Sequence, residues 1–448
     1  MDLISNNGFA TSTNINYFFN NCYLGLYPEL FLIIVISFLI AFLVVLDYIN
    51  KYQLVLSSLT AQMLIWIFLL TILLVNNNST NFLIFNDLLI VDNFTTFIKN
   101  VVLGSLICCI LISLNYIKRE NIYKYEYFLL VGLACLGMLS IISSNDLITM
   151  YLAIEIQSLC FYILATIKIY NNFSTEAGLK YFILGAFSSG VLLFGCSFIY
   201  GSLGTTNFSE MKFLSSTLSP QGDNPLTLIL GIIFVVIAIL FKLGAAPFHM
   251  WLPDVYEGVP TIVTAIYSIV PKIALFGLFV RLNINLIYEN QYFIQQILLY
   301  SALLSIIIGT FGALYQVKIK RLLAYSAISH VGFLLIGFSS FTNWSIFSLF
   351  FYLIVYILIS INMFSILLVM RKIDNNLKIK KINELVILFK SNALLAINFC
   401  LILFSIAGIP PLAGFYSKLY IFCSFATILV DESIVLNFLN LVYCLNRI

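Results

Sequence analysis

Charge is what this sequence has least of. Its 448 residues include 22 Lys and Arg and 19 Asp and Glu, so 9% are charged, where a soluble domain carries about 25%. With 62% hydrophobic residues and a mean hydropathy of +1.05, a water-soluble fold is excluded and the solvent is lipid. The net charge of +3 matters less than where the charges sit. Histidine is scarcer still: His249 and His330 lie far apart in sequence. The nine cysteines form no CxxC or Cys/His cluster, although Cys108 and Cys109 are adjacent. That excludes a recognisable zinc, haem or iron–sulfur framework and leaves the cysteines as small apolar packers. No Gly-rich nucleotide loop is present. Residues 1–21 are polar and Asn-rich without Lys or Arg, which excludes a secretory signal and an Arg-rich transit peptide. Asn, Ile, Phe, Tyr and Lys are plentiful, as an AT-rich genome produces, and this points to a chain made and inserted inside an organelle.

What is present is a succession of long apolar runs. A helix crosses the hydrocarbon with about 20 residues. The runs predict helices at 28–49, 54–75, 91–117, 125–144, 146–169, 175–201, 226–256, 259–282, 291–316, 318–340, 344–370, 393–430 and 433–448, thirteen in all. Two are longer than one crossing needs and carry proline near the middle, in Leu243-Gly-Ala-Ala-Pro247 and Ala407-Gly-Ile-Pro-Pro411. Proline removes a donor and clashes with the preceding turn, so both are expected to break there. With the N-terminus outside, inner loops and flanks hold fourteen basic residues: Lys51, Lys118, Arg119, Lys124, Lys168, Lys318, Lys320, Arg321, Arg371, Lys372, Lys378, Lys380, Lys381 and Lys390. The outer flanks hold Lys99, Lys212 and Arg281, and Arg447 falls at the inner end of the last helix. This bias fixes orientation and helix parity together. No soluble domain is left over, since the longest polar stretch, Arg371 to Lys381, is a linker. Apolar runs such as Phe347 to Ile359 are read as outer faces that need lipid or helical neighbours.

Lys180, Lys242, Lys272 and Lys418 remain, each inside a predicted helix, with Glu155 in Met150-Tyr-Leu-Ala-Ile-Glu-Ile-Gln157. A charge at mid-bilayer costs from about 3 to above 10 kcal/mol, so these residues call for a reason. Lys242 and Lys418 flank the two breaks, Lys272 is central in its helix, and Lys180 lies toward the inner end. Broken helices at membrane depth are tolerated where they face protein or a water-filled cavity, and two Lys-bearing breaks five helices apart are what an internal repeat around an ion path leaves. Desolvation pulls a lysine's pKa down and a nearby carboxylate pushes it up, so lysines held between the two can change protonation near neutral pH. Such a chain passes protons and offers no cage for sugars or amino acids. Against this stands static pairing or snorkelling, which has its strongest claim on Lys180. Lys99 reads as a snorkelling flank residue. His249, just past the first break, either relays a proton or satisfies backbone groups that the break frees. His330 is polar in an apolar helix and is a candidate for a relay role.

Four motifs then agree. They are Lys242-Leu-Gly-Ala-Ala-Pro-Phe-His-Met-Trp-Leu-Pro-Asp-Val-Tyr-Glu-Gly258 with Pro260 and Pro271-Lys-Ile-Ala-Leu-Phe276; Glu176-Ala-Gly-Leu-Lys-Tyr-Phe-Ile-Leu-Gly-Ala-Phe-Ser-Ser189; Ile319-Lys-Arg-Leu-Leu-Ala-Tyr-Ser-Ala-Ile-Ser-His330; and Ala407-Gly-Ile-Pro-Pro-Leu-Ala-Gly-Phe-Tyr-Ser-Lys418. Together, over roughly residues 120 to 430, they resemble the antiporter-like membrane subunits of respiratory complex I, the proton-pumping NADH:quinone oxidoreductase. Asp-Val-Tyr-Glu-Gly resembles the N-type branch, whose M- and L-type sisters tend to carry an Ala-Met-Glu-Ala-Pro-like run there.

The resemblance implies an all-α polytopic membrane protein of two inverted five-helix repeats, each with a broken helix. Its parts would be a polar N-terminus (1–27), a three-helix segment (28–117), a first repeat (125–282) and a second (291–448). It implies that Glu155 pairs with Lys242, that Lys272 is the central proton carrier, that Lys418 leads toward the outer exit, and that Lys180 matches a lysine on the inward side. It implies that NADH, FMN, iron–sulfur clusters and ubiquinone are bound by partner subunits and no cofactor by this chain. The expected partners are other membrane-arm subunits, including another antiporter-like one, and lipids, with no nucleic acid. The expected location is the mitochondrial inner membrane, ahead of a plastid or bacterial one. The family pattern has fourteen helices, so a last helix is expected to be lost or supplied by a separate polypeptide. The final segment 433–448 spans about 24 Å at 1.5 Å per residue, short of a roughly 30 Å core, so it is expected to pack on another chain's helix or to sit in thinned bilayer. A stand-alone cation/proton antiporter and a purely structural membrane subunit are the competing functions.

Overall fold

Lipid offers no partner to a backbone N–H, so apolar runs satisfy themselves as helices. The computed structural model describes residues 25–49, 53–76, 82–120, 125–218, 226–284, 291–371, 380–385 and 392–429. Among these, the chain folds as α1 (Tyr27–Ile49), α2 (Gln53–Asn76), a hairpin of β1 (Phe82–Ile84) and β2 (Leu89–Val91), α3 (Asn93–Arg119), α4 (Glu126–Ser143), α5 (Leu147–Ala165), α6 (Asn172–Leu203), α7 (Phe208–Leu218), α8 (Leu226–Leu243), α9 (Trp251–Gly258), α10 (Thr261–Leu282), α11 (Gln291–Leu314), α12 (Ile319–Ser339), α13 (Asn343–Val369), a 3-10 turn (Ile382–Leu385), α14 (Ala393–Ala407) and α15 (Ala413–Leu429). Eleven of the described helices are long and apolar enough to cross a membrane: α1 to α6, α8 and α10 to α13. The segment 433–448 with Arg447, its expected packing, and Lys51, Lys124, Lys372, Lys378 and Lys390 lie outside the described residues.

Among the described residues the other twelve expected helices are present within a few residues, and both expected breaks occur. The segment 226–256 divides into α8 and α9, and 393–430 into α14 and α15. Each break opens on a left-handed glycine, Gly244 (φ 74°) or Gly408 (φ 83°), followed by a cis X-Pro bond at Ala246-Pro247 or Pro410-Pro411. Only glycine takes that left-handed turn freely. Pro271, by contrast, is accommodated within the continuous α10. Capping sets several helix starts: the Asp146 carboxylate accepts from Ile148 N (2.7 Å), and Thr342 accepts from Ser345 N (3.1 Å).

Three features were not expected. The hairpin turns through Phe85, Asn86 and Asp87, all at positive φ. Asn145 and Asn207 both donate side-chain hydrogen bonds to the Asp87 carbonyl (2.8 and 3.1 Å), which ties the hairpin to the α4–α5 and α6–α7 connections. The short helix α7 follows. Finally, Lys99 does not snorkel. It is 1% exposed and ion-paired with Glu29 of α1, itself 8% exposed. The partner lies seventy residues upstream, so no local pattern announces it.

Almost the whole of α10 is buried, packed on by α3, α4, α8 and α13. The two ends of the bundle carry separate charge clusters. At one, Glu120 binds both Lys168 (3.1 Å) and Arg371 (3.0 Å). At the other, Arg281 binds Asp92 (3.1 Å) beside the hairpin. Two basic residues assigned to the inner side thus share one carboxylate. The run Phe347 to Ile359 is not wholly an outer face. Phe347 and Leu358 are exposed, but Ser348, Leu349, Tyr352, Leu353 and Tyr356 are buried.

Close approach at the second break sets a testable constraint. A Cβ on Gly414 of α15 would lie 1.8 Å from the Ser405 carbonyl oxygen of α14. A backbone oxygen has no rotamer to escape into, so Gly414→Ala must push the two half-helices apart, at about 1–3 kcal/mol or more. Thermal unfolding of the solubilised protein is expected to show that loss. Gly104→Ala, with nothing within 4 Å, is expected to be near neutral.

Candidate functional site

The break between α8 and α9 frees carbonyls that a continuous helix would use. Trp251 donates from Nε1 to the Phe241 carbonyl (3.0 Å), which also accepts from Gly244 N (3.1 Å). Lys242 has no hydrogen-bond partner among the described residues. Its side chain lines a cavity of about 30 Å3 with Gln157, Ser158, Tyr162, Tyr181 and Trp251. That volume is room for about one water, with Gln157, Ser158 and Lys242 as its polar partners. Pro271 and Leu275 of α10 close its far wall, next to Lys272 in sequence.

Glu155 on α5 is near enough to Lys242 for their charges to interact, but they form no ion pair here. Its Oε1 is buried without a hydrogen-bond partner, and its Oε2 accepts a long bond from Ser158 Oγ (3.5 Å). The pairing that the motif resemblance implies is therefore absent from this conformation.

Lys272 is 4% exposed at the middle of α10. Its ammonium donates to the Tyr356 hydroxyl (2.9 Å) and the Ala327 carbonyl (3.3 Å), and it lies 4.7 Å from the centre of the Tyr356 ring. No carboxylate pairs with it among the described residues. His330 on α12 is buried, with Nδ1 hydrogen-bonded to the Tyr352 hydroxyl and its ring 5.2 Å from that of Tyr356.

Lys418 is buried on α15. It donates to the carbonyls of Ile406 (3.0 Å) and Ala407 (3.1 Å), the last ones of α14. A cation there meets the negative end of the helix dipole and caps orphaned acceptors. At the first break a neutral indole, Trp251, bonds a carbonyl of α8, and at the second a lysine caps the last carbonyls of α14. A second cavity, about 10 Å3, is lined by His330, Tyr352, Tyr356, Ser417 and Lys418 among others.

Lys180 is placed differently. It is exposed and paired with Glu176 (2.7 Å) and Asp254 (3.3 Å). Asp254 also binds Arg321 (3.1 Å), and Glu257 binds Lys318 and Arg321. The two carboxylates of the Asp-Val-Tyr-Glu-Gly run thus tie α9 to α6 and to the start of α12. His249 is buried within the first break, its ring beside the Pro247 carbonyl.

The structure therefore brings Lys272, His330 and Lys418 together around Tyr356, and Lys242 lines a separate cavity that Pro271 also lines. Sequence reasoning missed Tyr352 and Tyr356. The signal was there: Ser348, Tyr352, Tyr356 and Ser360 recur every four residues in an otherwise apolar run, one face of a helix, and all four are buried.

Comparison with known proteins agrees with this architecture. Residues 144–442 match the family described as NADH:quinone oxidoreductase/Mrp antiporter, TM. The chain is 45% identical over 413 residues to NADH-ubiquinone oxidoreductase chain 2 of Marchantia polymorpha, covering 90% of this chain and 82% of that one. It is 41% identical over 342 residues to NADH-quinone oxidoreductase subunit N of Rhodospirillum rubrum, covering 76% and 69%. A chain of respiratory complex I from Thermus thermophilus with bound aureothin superposes with a TM-score of 0.69 at 26% identity, covering 88% of this chain and 83% of that one. This polytopic membrane protein belongs to the NADH:quinone oxidoreductase/Mrp antiporter family.

Proposed function

We propose that this chain is a proton-translocating membrane-arm subunit of an NADH:ubiquinone oxidoreductase in the mitochondrial inner membrane, driven by redox chemistry in partner subunits that hold NADH, FMN, iron–sulfur clusters and ubiquinone. The observation that carries this reading is the unpaired state of the buried lysines. Lys242 stands beside a water-sized cavity, and Lys272 and Lys418 are buried on hydroxyl and carbonyl oxygens. A buried ammonium held by neutral acceptors is free to give up its proton, whereas one locked to a carboxylate is not. Lys180 and its carboxylate partners would serve the inward entry, and Lys418 the outward exit. High identity to proteins named as chain 2 and subunit N favours this role over a stand-alone antiporter.

Glu155 is the switch in this reading. When it pairs with Lys242 it holds the lysine charged. When the two separate, as here, the proton can pass toward Lys272. Glu155→Gln keeps shape and hydrogen bonding, so the assembled complex is expected to remain while coupled turnover falls. Glu155→Asp is expected to be milder. Wild-type proton-to-electron ratio and quinone-reductase rate in both Glu155→Gln and Lys242→Met would sink the switch and leave a static pair.

A further inference from the structure

The proposed path has a gap in its chemistry. Lys272 has two hydrogen-bond partners among the described residues, the Ala327 carbonyl and the Tyr356 hydroxyl. A carbonyl accepts but holds no proton to pass on, whereas a hydroxyl accepts and donates at once. Lys272 does not line the cavity that His330 and Lys418 share, but Tyr356 does. Tyr356 is thus the side chain that touches both Lys272 and that cavity.

We propose that the Tyr356 hydroxyl is the relay through which a proton leaves Lys272 for His330 and Lys418, with Tyr352 positioning His330 by its bond to Nδ1. This rests on the proton-conducting reading above and adds a residue to it.

The step balances without any redox partner. An N–H bond of the Lys272 ammonium breaks as an O–H bond forms on Tyr356. The hydroxyl's original O–H bond breaks at the same time, and its proton moves to His330 when a water enters the cavity that the two residues line. Lys272 ends as a neutral amine, His330 as an imidazolium, and Tyr356 unchanged. Concerted transfer is required, because a tyrosinate buried in this apolar setting would be prohibitively costly. The cavity, about 10 Å3, is near the least volume that admits one water, so transfer waits on its entry. Between transfers the hydroxyl donates to the Ser268 carbonyl, a long bond of 3.2 Å that is readily exchanged. α13 suits the task, since its four-residue spacing sets Tyr352 and Tyr356 on one face, one turn apart.

Tyr356→Phe removes one oxygen and keeps the ring. In the assembled complex in sealed membrane vesicles, it is expected to slow transfer through this chain by about 100-fold or more. Protons moved per NADH oxidised should then fall to the value for Lys272→Met, with the amount of assembled complex unchanged. Tyr352→Phe is expected to give a smaller loss. If Lys272→Met lowers that ratio and Tyr356→Phe does not, the relay is overturned and the conducting path stands. If Lys272→Met itself keeps the wild-type ratio, the path fails and the relay with it. Loss of assembled complex in Tyr356→Phe matching the loss of transport would make Tyr356 structural and overturn the relay.

Discussion

Replacing Lys272 by arginine is expected to abolish proton transfer through this chain as completely as replacing it by methionine. The two variants fail for opposite reasons. Methionine fills the same space in α10 but binds no proton. Arginine keeps the positive charge and the stacking on the Tyr356 ring, but its guanidinium does not release a proton in proteins. If Lys272 served only as a fixed charge holding α10 to α13 through Tyr356, arginine would rescue much of the function. Initial rates of acidification driven by NADH, measured in vesicles with equal amounts of complex, separate the cases.

The second large effect is expected where no proton path is proposed. Lys99 and Glu29 join α3 to α1 as a buried ion pair, with side chains 2% and 10% exposed. Glu29 Oε2 is already without a partner. Lys99→Met would leave the carboxylate charged and alone in an apolar setting, a loss of about 3–5 kcal/mol. Adding Glu29→Leu removes the stranded charge and is expected to restore most of that stability, because a well-packed apolar pair often matches a buried ion pair. Thermal denaturation of the solubilised complex reads both. A Lys99→Met protein as stable as wild type would show that the pair contributes nothing to holding the N-terminal helices.

Hydropathy made the helices legible, and proline placement marked where two of them break. The buried lysines were legible for the same reason, since a charge in an apolar run has few explanations. Pairing between distant helices was not. Lys99 looked like a flank residue because its partner, Glu29, lies on another helix, and Glu155 and Lys242 looked like a pair although here they stand apart. The tyrosines of α13 were hidden by averaging. Tyrosine is apolar enough to merge into a run such as Phe347 to Ile359, so that run read as an outer face, whereas a four-residue reading separates the buried stripe from exposed Phe347 and Leu358. The hairpin was lost because its strands are three residues each, too short for alternation to register, although Asn86-Asp87 is a turn pair.

The central claim is that protons cross the membrane through this chain by way of Lys272. Its most direct test is the number of protons moved per NADH oxidised by the assembled complex in sealed vesicles, compared between wild type and Lys272→Arg. A lower ratio is expected in Lys272→Arg, since the charge is kept and only the exchangeable proton is lost. An unchanged ratio at equal complex content would contradict it.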